Sequence, residues 1–149
     1  MTPHERSIHA LRALVRFDLL QAAANVVEAA RLTLLEEQAV TGLTQRCETG
    51  ASGIREASAR SPLNPELVRA MQRSYGFDCR VLHDSRNRLS VARQREEQTR
   101  ATLAALRSRE RSLDEALLAQ RRRSKAKQER LDVLVADDLW LQNAWRVQS

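Results

Sequence analysis

The chain has 149 residues, enough for one domain, but only 3% are aromatic and 30% are charged, with 4 Gly and 3 Pro. A compact globular core needs more large rings and turn residues than this, whereas the abundant Ala, Leu, Arg, Glu and Gln are strong helix formers. The net charge of +6 is also uneven: residues 1–61 balance 7 Lys and Arg against 7 Asp and Glu, which excludes a uniformly basic protein.

The first element begins at "TPHE". Thr2 suits the N-cap, Pro3 the first helical position, and Glu5 the third residue after the cap, which makes a capping box. The stretch that follows is broken by Arg12, Arg16 and Asp18, so it does not read as a signal peptide. No uncharged apolar run in the chain approaches the ~18 residues of a membrane span. From Ile8 to Ile54 an apolar seam passes through Leu11, Val15, Leu19, Leu35, Ala39, Leu43 and Cys47, taking 13 steps in 46 residues. Its mean step of about 3.5 is the period of a coiled-coil seam. Gly50 and Gly53 weaken the last turns, so fraying is expected between Thr49 and Arg60.

Pro62 disfavours helical geometry at Ser61 and ends this helix. "SPLNPEL" then opens a second one, with Asn64 as cap, Pro65 at the first position and Glu66 in the first turn. Two rows of a strict seven-residue repeat follow, one from Val68 to Trp145 and one from Met71 to Leu141. Polar residues interrupt the rows at Asp78, Ser85, Glu96, Thr99 and Glu110, but the register does not slip; Gly76 marks a possible bend. No stretch alternates as a strand would.

These elements predict an all-α fold, a long antiparallel two-helix coiled-coil hairpin in which helix 2 outlasts helix 1. Helix 1 is expected over about 3–58, the turn over 59–64 and helix 2 over 65–146, all in a single domain with 121–149 overhanging. The competing arrangement pairs the same seams between two chains. A turn centred on Ser61 makes facing residue numbers add up to about 122, which sets Arg12 near Glu110 and ends the pairing near Gln120. Glu96, Thr99 and Glu110 then either fix the register or mark a loosely packed middle. Cys47 and Cys79 come near each other; with neither metal spacing nor a disulfide framework, they read as reduced thiols filling space in a cytosolic protein.

Beyond Gln120 the sequence changes character. Arg121, Arg122, Arg123, Lys125, Lys127 and Arg130 stand against Glu129 alone between residues 119 and 130. Apolar residues return with Leu131, Leu134, Val135, Leu141 and Trp145 on one stripe, and Val133, Trp140 and Val147 on a second. Two apolar stripes without an intramolecular partner imply an external one, and Trp and Arg are the residues most enriched at binding hot spots. The expected partner-binding set is thus Arg121, Arg122, Arg123, Lys125, Lys127, Arg130, Leu131, Leu134, Trp140, Leu141 and Trp145. No enzyme, cofactor or metal site is expected. The histidines His4, His9 and His83 form no ligand pair, and "GASG" at 50–53 reads as a helix-end breaker.

This layout resembles the FliJ/YscO family, the stalk proteins of bacterial flagellar and virulence type III export ATPases. The resemblance rests on the length, the "SPLNPELVRAMQRSYGFDCRVL" turn and helix start, the longer second helix, and the passage from a basic run to "DDLWLQNAW". It implies a non-enzymatic, cytoplasmic hairpin peripheral to the inner-membrane secretion apparatus, without membrane insertion. The end comprising residues 2–16 and 121–145 would enter the hexameric ATPase ring, and the tip at about 47–76 would approach the export gate. Escort of secretion chaperones is a further implication.

Two other readings follow from the residues. One is a basic nucleic-acid-binding coiled coil, supported by a pI near 10.5 and 23 Arg among 25 basic residues but opposed by the confinement of the excess charge to one short cluster. The other is a structural coiled-coil dimer or adaptor.

Overall fold

The computed structural model describes residues 3–147, and the Thr2 cap lies outside them. The chain forms α1 (Pro3–Ala59) and α2 (Pro65–Val147), an all-α hairpin with the second helix the longer. The turn between them is set locally. The Asn64 side chain accepts a hydrogen bond from the Leu67 amide at 3.2 Å, and its carbonyl accepts the first helical bond from Val68. Pro65, next in the chain, has no amide to satisfy.

The chain divides into two compact units, Leu20–Ala104 and Met1–Leu19 with Ala105–Ser149. Within Leu20–Ala104, Gly50 faces Tyr75, Gly53 faces Met71, and the Cys47 and Cys79 sulfurs lie 4.0 Å apart. Facing residue numbers therefore add up to about 125 rather than the expected 122. The reason is the turn: α1 persists to Ala59 and α2 starts at Pro65, which centres the reversal on Pro62. Arg46–Asp78 at 3.0 Å and Arg88–Glu36 at 3.4 Å flank the seam at this register.

The same register holds in the other unit. Arg12 pairs with Asp114 at 2.7 Å, one turn beyond the Glu110 expected for it, and Glu110 pairs with Arg16 at 3.1 Å. Ile8, Val15 and Leu117 are buried there.

The seam of α2 follows the strict heptad, with Leu82, Ser85, Leu89 and Leu117 buried along it. The seam of α1 corrects the apolar reading. Leu11 and Leu35 are 45% and 49% exposed and Ala39 is exposed, while Arg12, Thr33, Glu36 and Val40 turn inward. Strict seven-residue spacing from Ile8 and Val15 selects Glu36, and the companion row through Leu19 and Cys47 selects Arg12, Thr33 and Val40, whatever their polarity, because two packed helices cannot change register to follow individual leucines.

The polar seam residues are satisfied locally. Arg12 uses Asp114, and the buried Thr33 hydroxyl donates to the Ala29 carbonyl at 3.0 Å. Glu96 pairs with Arg100 one turn on, and the Thr99 hydroxyl donates to the Glu96 carbonyl at 2.9 Å. Two buried atoms lack a hydrogen-bond partner among the described residues: Arg12 Nε, which has only the Asp114 ion pair, and the hydroxyl of the fully buried Ser85.

The glycines also depart from expectation. Gly50 and Gly53 lie inside unbroken α1, so they do not end the helix. A Cβ on Gly50 would stand 3.3 Å from the Tyr75 ring, and one on Gly53 only 2.9 Å from the Met71 methyl. They are positions of close helix approach. Gly76 does not interrupt α2, which continues through it.

Candidate functional site

Residues 125–143 of α2 are all exposed, and no other described element covers them. Inward-facing burial ends with Gln120 and Ser124, half-buried seam residues, so the expected overhang begins near Lys125. All eleven residues of the expected partner-binding set lie on this end of one continuous helix, and all are exposed.

Helical geometry arranges them in series. Eighteen residues make five complete turns, so Arg122 lies on the same line as Trp140, Arg123 on that of Leu141, and Lys127 on that of Trp145. Each cation thus precedes an apolar anchor by about 27 Å along the same face. The basic band and the apolar band succeed each other along the helix and are not opposite faces of one amphipathic stretch.

The charges in the basic band are mostly unengaged. Lys125 approaches Glu129 at 3.9 Å, a surface contact worth little. Arg121, Arg122, Arg123, Lys127 and Arg130 make no ion pair among the described residues. Gln128 donates to Asp132 at 2.9 Å and so occupies the first carboxylate of the apolar band.

The apolar band is wider than two stripes. Beyond the expected residues, Leu139 is 55% exposed, and with Leu131 and Val135 it forms a line at spacings of four. Trp140 at 70% and Trp145 at 73% exposed are the largest side chains of the band. Three apolar faces on one helix, interleaved with Asp132, Asp137, Asp138, Gln142, Asn143 and Arg146, exceed what a single flat contact could cover.

Sequence reasoning missed part of this end. Leu11, assigned to the seam, is exposed, as are Leu14 and Phe17 on the first turns of α1 in the same unit. The signal was present: these three do not fall on the strict heptad that passes through Ile8 and Val15.

No family model matches this chain, and no match was found among curated proteins or solved structures.

No described helix is long and apolar enough to cross a membrane. Among the described residues, no group of three His, Cys, Asp or Glu side chains is placed to hold a metal ion.

Proposed function

We propose that the chain is a non-enzymatic central-stalk component of a bacterial type III secretion system. In this reading residues 121–147 dock in the hexameric export ATPase ring, and the hairpin turn reaches toward the export gate. The observation that carries it is the exposed apolar band from Leu131 to Val147, preceded by unengaged arginines on the same helical lines. A central pore encloses a helix from all sides, which suits three exposed apolar faces. Acidic loops at its mouth would steer the basic band inward, and Trp140 and Trp145 would then anchor the helix.

The resemblance to the FliJ/YscO stalk proteins supports the same placement and suggests secretion chaperones as additional cargo. A stalk of this kind acts without chemistry: it touches equivalent ring interfaces unequally and so makes them different. The site of action is the cytoplasmic side of the inner membrane, at the periphery of the apparatus.

The five unpaired cations also favour a second reading, a nucleic-acid contact. The two separate in one pull-down from host lysate with nuclease present, comparing the full chain with a version ending at Ala119. Recovery of an export ATPase by the full chain alone supports the stalk. Tail-dependent partners that all vanish with nuclease would assign the cluster to nucleic acid, with a steep salt dependence. Recovery of the ATPase by both versions would remove the docking role from residues 121–147.

A further inference from the structure

Cys47 on α1 and Cys79 on α2 meet across the helix pair with their sulfurs 4.0 Å apart. They are the only cysteines in the chain. Cys47 occupies a buried seam position, while Cys79 lies one residue past the seam and is half-buried. A disulfide requires the sulfurs at about 2.05 Å, so closure asks for about 2 Å of approach. Side-chain rotation can supply much of that in a pair already facing each other.

We propose that Cys47 and Cys79 form an interhelical dithiol that a hydroperoxide oxidises to a disulfide, tying α1 to α2 near the turn. The two cysteines have unequal roles. Cys79, the more accessible, reacts first: its thiolate sulfur attacks the peroxide, the O–O bond breaks, and Cys79 sulfenic acid forms as water or an alcohol leaves. The Cys47 sulfur then attacks the Cys79 sulfur. The S–S bond forms, the S–O bond breaks, and the departing hydroxide takes the Cys47 proton as water. Overall two thiols lose two hydrogens and the peroxide is reduced.

Burial and the neighbouring Cys79 thiol hold the Cys47 thiol above its usual range. It therefore stays protonated at neutral pH and serves as the resolving partner, not the first nucleophile. Filling the seam would need only one small side chain at position 47; a second sulfur placed directly against it is what gives the site chemistry. The cross-link would close a loop that includes the whole turn, between two helices that non-covalent side-chain contacts alone hold together beyond that turn. This inference does not depend on the stalk reading.

The test treats the purified full chain with equimolar hydrogen peroxide and reads intact mass, non-reducing gel mobility and thermal unfolding. The expected product is a monomer that has lost two hydrogens, migrates faster, reverts with dithiothreitol, and melts on the order of 10 °C higher. Cys47→Ser and Cys79→Ser should each abolish the faster band, and Cys47→Ser should instead accumulate oxygen on Cys79. Oxygen addition to the unsubstituted chain without loss of two hydrogens would overturn the proposal. So would disulfide-linked dimers as the main product.

Discussion

Ser85 carries the clearest residue-level cost in the seam. Its hydroxyl is fully buried without a partner, and such a group costs about 1–3 kcal/mol relative to an apolar one. Ser85→Ala removes the group and adds helix propensity, so it should raise stability by about 1 kcal/mol in urea unfolding. An unchanged or lower midpoint would mean that the hydroxyl finds a partner in solution. Asn64 is the opposite case. Its side chain holds the Leu67 amide at the start of α2, and Asn64→Ala should cost about 1 kcal/mol. At the end proposed to dock, Trp140→Ala and Trp145→Ala remove largely exposed rings. Each should weaken ring binding by at least 2 kcal/mol, about 30-fold, with the melting temperature unchanged.

At the scale of the helix, the four glycines separate into two kinds. Gly42 and Gly76 have open space where a Cβ would stand, whereas Gly50 meets the Tyr75 ring. Gly76→Ala should therefore stabilise by up to about 1 kcal/mol, the intrinsic difference in helix propensity. Gly50→Ala should gain less or lose, because the rigid ring must shift. Thermal unfolding of the two variants side by side checks this contrast.

The same elements show what the sequence could reveal. The cap at Asn64, the stop at Pro62 and the strict repeat of α2 depend on neighbours in the chain, so they were readable without a structure. The seam of α1 was readable only in part. Choosing the nearest apolar residue at each step admitted Leu11, Leu35 and Ala39, although the packed helices keep the heptad and accept Arg12, Thr33 and Glu36. Propensity also misled at Gly50 and Gly53. Their value lies in how closely α2 approaches, which a single helix cannot show. The register moved by about three residues because α1 runs on to Ala59 and the reversal centres on Pro62, and each one-residue shift of that centre changes the sum of facing numbers by two.

For the molecule as a whole, the central proposal assigns folding and docking to different residues. The seam ends near Ser124, and residues 125–143 beyond it are all exposed. Shortening the chain to Ala119 should thus leave the hairpin's unfolding transition intact while abolishing ring binding. The exposed basic band adds a kinetic expectation. Replacing Arg121, Arg122 and Arg123 with Gln should slow association and flatten its salt dependence, with a smaller effect on dissociation. A change confined to dissociation would place these arginines inside the interface instead of at its approach.

The most direct test of the docking claim is photo-crosslinking in the living host. A photoreactive side chain at position 140 would report the contact, and one at exposed Val91, in the other unit, would serve as control. The stalk reading predicts that position 140, unlike position 91, crosslinks to a subunit of the type III export ATPase. Crosslinks from position 140 to nucleic acid, or only to a second copy of the chain, would contradict it.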